Sequence, residues 1–453
     1  MNQPMKLLLV GIAYVAVFYA TAFCEQFYDY IDITNPGFRK TPIAVPVFKT
    51  ITHGPKEQKF CEEASVLLSD TLEFTGYFKM IDRGAFLINP ESMGIKKGEV
   101  QFRNWTVIGA EYLITGGVLI SGDLLTIELR MFDTLKQEGV NGLELGYTDR
   151  IEDHSLREII HTYCSKVIFQ LFGEQGIFNS KIAFESKKDG VKEIFSCDFD
   201  GYAPQQITRH DSIAISPAWS TDGQWIAYTA LAGEKWKLYL KNLLESRGSI
   251  IDRHRYIQNP VWMPNKFELA ATLSDSHSLT IYSITGTGKI IEKLTDTNKT
   301  DALRFDVSPS WSPDGKKFAF VSNRHGGRQI FIKDIGTGQV QRLTNEGKQN
   351  ESPCWSPKGN KLAYEAWFDG HCDIHVINVD GSGDMQLTHD SGDNEYPSWS
   401  PDGNLIAFSS TREGVSKIYI MTATGTDQRR LLNLTGAQSN PRWSLNLKKF
   451  DSK

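Results

Sequence analysis

The stretch HCDIH at 371–375 carries residue types that could bind a metal ion. His371, Asp373 and His375 alternate, so on a strand their side chains would project from one face. Imidazole nitrogens and carboxylate oxygens are common zinc ligands. His375, however, stands where Tyr or Phe stands in related stretches of the chain. We therefore expect a packed histidine here and keep a metal site as the alternative.

Two further motifs of known chemistry are incomplete. GTGK at 286–289 resembles a phosphate loop, but Ile290 follows the lysine where that loop requires Ser or Thr. A turn is the preferred interpretation. The sequence contains no Gly-x-Ser-x-Gly nucleophile motif, and no nucleophile constellation or carboxylate pair stands out. We predict no catalytic residues, no metal and no cofactor.

Trp311 and Asp314, in SPSWSPDGKKFAFVSN at 308–323, belong to a unit that recurs. Similar contexts surround tryptophans at 219, 262, 311, 355, 399 and 443, with spacings of 43, 49, 44, 44 and 44 residues. At the position of Asp314 other units have Asp222, Asn265, Lys358, Asp402 and Asn446. A catalytic carboxylate could not vary in this way. Asp-Gly between apolar runs predicts a hairpin turn, and the tryptophan is expected to pack between units.

Each unit of about 44 residues holds four short apolar runs, which is typical of a propeller blade. Lys181–Thr208 matches a unit that lacks its first strand, and Trp443 begins a unit that the chain does not finish. The two fragments complete one another. We therefore predict an all-β six-bladed β-propeller over residues 174–453, closed by the C-terminal strand.

Residues 35–173 lack this period and contain both helical and strand patterns, which predicts an α/β domain. The expected strands are 42–48, 77–81, 107–119 and 124–132, and the expected helices are 57–74 and 153–172, the second with Asp153 as N-cap. Gly173–Gly176 would be the linker to the propeller.

The N-terminus reads as an export signal. One lysine within Met1–Lys6, an uncharged apolar run and Ala20-Thr21-Ala22 predict a signal peptide over residues 1–22. A membrane anchor, or a lipoprotein modified at Cys24, is an alternative. Residues 23–34 are predicted to form a flexible segment.

Charge and cysteine content narrow the function classes. A net charge of −5 and a pI near 6.1 argue against nucleic-acid binding. The six cysteines include no Cys-x-x-Cys pair. Cys61 and Cys164 fall on two predicted helices of one domain, where they would form either a disulfide or two buried free thiols.

The loops that precede the tryptophans are polar and should cluster at one mouth of the propeller. They read HDSIAIS, RYIQN, NKTDALRFDVS, EGKQNES, SGDNEY and GAQSN, and 298–307 is the longest. Converging polar loops on a rigid ring predict a binding surface.

With these motifs in order, the chain resembles the TolB family, the periplasmic components of the Tol-Pal system of Gram-negative envelopes. The resemblance rests on the signal peptide, PIAVPVF at 42–48, GYFKMIDR at 76–83, WTVIGAEYLITGGV at 105–118 and GIFNSKIAF at 176–184, followed by six blades.

The resemblance implies a non-enzymatic, monomeric, periplasmic adaptor, peripheral to the membrane, that supports outer-membrane integrity and envelope constriction during cell division. In the family, the propeller mouth binds the peptidoglycan-associated lipoprotein Pal. The candidates here are His210, Asn259, Asp306, Glu351, Glu395 and Asn440. The N-terminal segment of the family contacts TolA, and the candidates for that contact are Glu25, Gln26, Phe27, Tyr28, Asp29, Tyr30, Ile31 and Asp32.

An enzyme is the alternative. A propeller lyase or hydrolase would need an acid/base or metal set at the mouth, drawn from His210, Asp306, Glu351 and Glu395. These side chains would have to reach one substrate.

Overall fold

A computed structural model of the chain describes residues 39–52, 55–89, 93–151, 155–245, 247–252, 256–275, 278–296 and 304–447. The expected signal peptide, the TolA-contact candidates from Glu25 to Asp32, Cys24, the predicted N-cap Asp153 and most of the 298–307 loop lie outside these residues.

The N-terminal domain contains one sheet with strands in the order β3-β1-β4-β5-β6, and β2 also pairs with β4. The strands are β1 Thr41–Ala44, β2 Lys49–Thr50, β3 Phe78–Met80, β4 Tyr112–Ser121, β5 Leu124–Asp133 and β6 Glu138–Arg150. The helices are α1 Pro55–Phe74, α2 Phe102–Val107 and α3 Ser155–Phe172. β1 is parallel to β3 and β4, whereas β4, β5 and β6 form an antiparallel meander.

The sheet is covered on both faces because side chains alternate along each strand. Ile43 and Ile114 point into the core beneath α1 and α3, while their neighbours Ala44 and Leu113 pack with Trp105 of α2 on the other face. Cys61 and Cys164 are buried free thiols, so the disulfide alternative for this pair is wrong.

The main differences from the sequence prediction concern three strands of this domain. The expected strand 107–119 begins only at Tyr112, because residues 102–107 form a helix that ends before Gly109, whose φ is +82°. The expected strand 42–48 is split into β1 and β2. β6 was not predicted, because its outer positions are exposed and carry no apolar alternation.

The rest of the chain forms six four-stranded sheets, which confirms the six-bladed propeller. Written from inner to outer strand, blade 1 contains β30 Ala437–Trp443, β7 Lys181–Lys188, β8 Val191–Asp198 and β9 Gln205–Gln206. Blade 2 contains β10 Ala214–Trp219, β11 Trp225–Ala232, β12 Lys235–Asn242 and β13 Gly248–Ile251. Blade 3 contains β14 Ile257–Trp262, β15 Glu268–Asp275, β16 Ser278–Thr285 and β17 Ile290–Lys293.

Blades 4 to 6 follow the same order. Blade 4 contains β18 Asp306–Trp311, β19 Lys317–Ser322, β20 Gln329–Asp334 and β21 Val340–Arg342. Blade 5 contains β22 Gln349–Trp355, β23 Lys361–Phe368, β24 His371–Asn378 and β25 Met385–Gln386. Blade 6 contains β26 Asn394–Trp399, β27 Leu405–Ser410, β28 Lys417–Thr422 and β29 Arg429–Arg430.

Blade 1 joins the two ends of the propeller, as the sequence predicted. Trp443 of β30 pairs with Ile182 of β7, and its indole N–H donates to Ser180 Oγ at 2.8 Å. Ser444 Oγ accepts the backbone N–H of Lys181 at 2.9 Å. Closure of this kind removes the open strand edges at which propellers would otherwise aggregate.

The α/β domain packs on the face of the propeller where the inner strands end. Arg157 pairs with Asp200 at 2.6 Å, and Arg429 donates to the carbonyl of Phe74 at 2.7 Å. One apolar core runs from α1 and α3 into blades 1 and 6. Among the described residues, no helix is both long and apolar enough to span a membrane.

Candidate functional site

The six inner strands surround a central channel with two different ends. Each inner strand starts at the loop from the preceding blade, which we name the loop end. It finishes at its tryptophan and the following hairpin turn, which we name the turn end. A cavity of about 320 Å³ occupies the channel towards the turn end. The tryptophans of all six inner strands line it, namely Trp219, Trp262, Trp311, Trp355, Trp399 and Trp443.

The repeated turn after each tryptophan is structural, as predicted. In blade 4, Ser312 Oγ donates to Asp314 Oδ1 at 2.6 Å, and the backbone N–H of Lys316 donates to the same oxygen at 3.0 Å. These two hydrogen bonds hold the pKa of Asp314 below its usual value. Gly315 has a φ of +68°, which a turn of this type requires. The Asp314 carboxylate is therefore occupied within its own turn.

A ring of left-handed backbone encircles the channel midway along the inner strands. In every blade the residue three before the tryptophan has a positive φ of 49–56° and precedes a proline; the six are Ser216, Asn259, Ser308, Ser352, Tyr396 and Asn440. The strand register shifts at the same point in all six blades, which identifies a β-bulge. Proline inside a strand was the available sequence signal, and the sequence analysis missed it.

Three of these bulges are anchored to the preceding blade through the same register position of the second strand. Glu185 Oε1 accepts the N–H of Ser216 at 2.9 Å, and Glu365 Oε1 accepts the N–H of Tyr396 at 2.6 Å. Ser409 Oγ accepts the N–H of Asn440 at 2.9 Å. Side chains therefore fix one blade to the next at the centre of the ring.

The six predicted mouth residues occupy different positions in their blades. His210, Glu351 and Glu395 are half-buried near the loop end. Asp306 is fully buried and forms an ion pair with Arg324 at 3.1 Å. Its carboxylate therefore offers a partner no surface in this conformation.

The two asparagines of the set belong to the ring of bulges. Asn440 is buried and donates from Nδ2 to Glu185 at 2.8 Å. Asn259 lines the central cavity. Asn259 is therefore part of the channel wall, and Asn440 is bonded within blade 1.

Acidic side chains gather at the loop end of blades 5 and 6. Burial raises the pKa of Glu395, and the nearby charges of Asp393 and Glu351 raise it further. Burial likewise raises the pKa of Glu365 to about 8. Arg328 pairs with Glu351 at 2.5 Å, and the positive charge of Lys192 opposes the rise in the pKa of Glu395. The half-buried carboxyl groups of Glu351, Asp393 and Glu395 therefore make the loop end of these two blades an acidic surface, with Glu365 buried beneath it.

The His375 and Asp373 side chains of HCDIH bond neighbours within the propeller. His375 is buried, stacks on Phe368 and lies 3.3 Å from Asp384 through Nδ1. Asp373 instead accepts hydrogen bonds from Thr388 and Asn394 at 2.6 and 3.0 Å. The packed histidine that the sequence predicted is confirmed.

The remaining candidates for chemistry have separate partners. GTGK forms the turn between β16 and β17. The His210 ring bonds the Tyr228 hydroxyl at 3.0 Å, whereas Asp306 pairs with Arg324 and Glu351 with Arg328. Within the described ranges, no group of three or more His, Cys, Asp or Glu is arranged to hold a metal ion. His210 and Asp306 thus each have a partner of their own, whereas Glu351 and Glu395 lie near one another.

Comparison with known proteins bears on both domains. A family described as "TolB beta propeller domain" matches residues 169–447, and one described as "TolB amino-terminal domain" matches residues 29–140. The Tol-Pal system protein TolB of Desulfosudis oleivorans is 48% identical over 291 residues, which are 64% of this chain and 65% of that protein. The match thus spans slightly less than two thirds of that relative.

A second relative and a solved structure agree with this. A protein TolB homolog of Chlorobium luteolum is 37% identical over 313 residues, 69% of each chain. The crystal structure of TolB from Acinetobacter baumannii superposes with a TM-score of 0.72 over 90% of this chain and 97% of that one; at 22% identity it shows a shared fold. Because the propeller profile alone covers more than half of the sequence, the chain belongs to the TolB family.

Proposed function

We propose that this chain is a non-enzymatic periplasmic adaptor of the Tol-Pal system. Its propeller would bind the peptidoglycan-associated lipoprotein Pal, and its N-terminal segment would bind TolA. By linking the two, it would support outer-membrane integrity and envelope constriction during division. Family membership supports the general role, and the observation that carries the binding surface is the negative loop end of blades 5 and 6.

The loop end suits a protein partner for a physical reason. The bulges and their inter-blade hydrogen bonds make the ring rigid, so a partner meets a preformed surface and little order is lost on binding. Glu351 and Glu395 are half-buried rather than hidden, and Asp393 lies beside them. A negative surface of this kind favours a partner with basic side chains and accelerates its association.

The side chains we assign to the contact are Glu351, Glu395 and His210. Asp306, Asn259 and Asn440 would support the surface from below, because they are buried or line the channel. The TolA contact is assigned to the segment Glu25–Asp32, which the structure does not describe.

The test is calorimetry of the mature chain with purified Pal and purified TolA. In the variant with Glu351→Gln and Glu395→Gln, Pal affinity should fall by about tenfold or more, since close interfacial charge pairs couple strongly. The matched control is Glu292→Gln, an exposed carboxylate on outer strand β17 that should leave Pal affinity unchanged.

Deletion of residues 25–32 should abolish TolA binding while Pal still binds. If both partners were lost from a folded chain, two separate sites would be disproved. Unchanged Pal affinity in the double Gln variant would remove the loop end of blades 5 and 6 from the interface.

The enzyme alternative is not favoured. It requires an acid/base pair that reaches one substrate, and three of the four candidate side chains, those of His210, Asp306 and Glu351, each bond a different neighbour.

A further inference from the structure

The turn-end cavity has a ring of side chains at one register position, the residue before each tryptophan. All six members line the cavity: Ala218, Val261, Ser310, Cys354, Ser398 and Arg442. Five are small and neutral. Arg442 of blade 1 is the only charged residue among those that line the cavity. The cavity therefore has one positive charge and no lining carboxylate.

Arg442 differs from the other arginines of the inner propeller. Arg324 pairs with Asp306 at 3.1 Å, and Arg412 donates to Asn394 and Gln428 at 3.1 and 2.9 Å. No described carboxylate lies within 4.0 Å of the Arg442 guanidinium. A guanidinium has five N–H donors, and a half-buried one is costly to leave without acceptors.

Two titratable groups that feel the charge of Arg442 provide no counter-charge. Burial raises the pKa of the Cys354 thiol, and the positive charge of Arg442 opposes that rise from two blades away. Burial also raises the pKa of the Tyr396 hydroxyl, which Arg442 again opposes. Both groups are neutral near pH 7, so the positive charge in the cavity is uncompensated by its walls.

Two hydroxyl groups at the same register position as Arg442 are oriented by the backbone, one in the adjacent blade 6 and one in blade 4 across the channel. Ser310 Oγ accepts the N–H of Trp355 at 3.0 Å, and Ser398 Oγ accepts the N–H of Trp443 at 2.9 Å. A hydroxyl that accepts in this way still has its proton to donate. The cavity thus presents a guanidinium and further donors on one level, with tryptophan and proline walls around them.

We infer that the turn-end cavity binds a small organic monoanion, a carboxylate attached to an apolar or aromatic body. The planar guanidinium matches a carboxylate through two parallel hydrogen bonds. A single positive charge balances one negative charge better than the two of a phosphate dianion. The volume of about 320 Å³ lies at the lower end of the range for ligand pockets. This site does not depend on the proposed Pal and TolA contacts, because it lies at the opposite end of the channel from the loops.

The test uses 3-phenylpropionate as the probe, with calorimetry and tryptophan fluorescence of the full mature chain as readouts. 3-Phenylpropionamide is the neutral match of the same shape, and inorganic phosphate is the second anion. The acid should bind about tenfold or more tightly than the amide, as expected for hydrogen bonds to a charged group. Equal binding of acid and amide, no binding of the acid, or tighter binding of phosphate would each overturn the inference.

Variants locate the site. Arg442→Gln should weaken binding of the acid by about tenfold or more, and Arg442→Lys should retain part of it. Lys358→Gln is the matched control, because Lys358 lies in the turn after β22 but does not line the cavity. A loss in the control as large as in Arg442→Gln would show a general charge effect and reject the site.

A second variant keeps the test valid if Arg442→Gln should not fold. Val261→Phe adds bulk from the blade 3 wall and leaves the charge in place. It should reduce the affinity for the acid and the amide together. Unchanged affinity for the acid in a folded Val261→Phe protein would place the probe outside the cavity.

Discussion

Two glutamates occupy the same register position in two blades, but the structure describes a cation beside only one of them. Glu185 of blade 1 and Glu365 of blade 5 each accept the N–H of the left-handed residue in the next blade. Glu185 also faces Lys192 at 2.7 Å and accepts from Asn440 at 2.8 Å. Glu365 makes no ion pair with any described residue and has Glu395 and Glu351 as neighbours.

The difference shows that the position of a glutamate in the repeat does not determine whether its side chain is charged. Blade 1 contains the closure of the ring, and Lys192 supplies a counter-charge there, so a carboxylate is favourable. In blade 5 burial raises the pKa of Glu365 to about 8, so this carboxyl is mostly protonated at pH 7. The same acceptor role is thus carried by an anion in one blade and a neutral acid in the other.

The largest expected effect that tests this comparison is a pH dependence at Glu365. Its pKa is about 8 in the folded chain against an ordinary value of 4.5, so folding takes up a proton between these values. Its contribution to stability is complete below pH 4.5 and is lost as the pH rises through about 8. The difference corresponds to up to about 5 kcal/mol in the free energy of unfolding.

Urea unfolding at pH 5, 7 and 9 measures this effect. Glu365→Gln keeps a neutral acceptor for Tyr396, so the variant should lose less stability than the wild type between pH 5 and 9. Parallel pH profiles for the two proteins would show that Glu365 is not the neutral acid of the pair.

Glu185→Gln should have the next largest effect. It leaves Lys192 without its counter-charge in a site where the carboxylate is buried. A broken buried pair costs about 3 kcal/mol. Urea unfolding at pH 7 is the measurement, and Glu365→Gln at the same pH is the matched control that should change little. Equal losses in both variants would mean that the two glutamates share one charge state.

Lys192→Met removes the cation beside Glu185, so that this side chain, like that of Glu365, has no ion-pair partner among the described residues. The free energy of unfolding should fall by about 2 kcal/mol at pH 8, because the buried carboxylate has lost its cation. Urea unfolding at pH 8 is the measurement, and an unchanged free energy of unfolding would show that the ion pair contributes no net stability.

Ser409→Ala should have the smallest effect. Ser409 holds the equivalent place in blade 6 with an uncharged acceptor, which bonds the N–H of Asn440 at 2.9 Å. Its loss should cost about 1 kcal/mol. The cost should be the same at pH 5 and pH 9, and thermal unfolding at both values checks this. A marked pH dependence would mean that the stability loss comes from a nearby ionisable group and not from the hydrogen bond between Ser409 and Asn440.

The propeller was predictable because its signal is repeated. Six tryptophans at near-equal spacing give the number of blades, and the incomplete units at Lys181 and Trp443 give the closure. The α/β domain has no such redundancy. Its strand β6 carries few buried side chains, and helix α2 has only six residues, too short for periodicity to reveal.

The proposed binding surface was less predictable than the fold. The polar loops before the tryptophans were recognised as a group. The sequence does not show, however, which of their polar side chains form hydrogen bonds or ion pairs inside the propeller. Asp306 pairs with an arginine that lies 18 positions further along the chain, and Asn440 bonds a glutamate 255 positions earlier. Such pairings follow from blade packing, which no local pattern encodes. Arg442 was likewise missed, because its importance depends on five neutral residues in other blades.

The closure of blade 1 also sets an order of events during synthesis. Lys181 and its hydrogen-bond partner Ser444 are 263 positions apart, so β7 emerges from the ribosome long before the strand that completes its sheet. Blades 2 to 6 can pair in sequence as they appear, whereas β7 retains an open edge until residues 437–443 are available. A chain that lacks these residues would have five complete blades and one unpaired strand edge, which promotes aggregation. β30 is therefore the strand that turns a row of sheets into a ring.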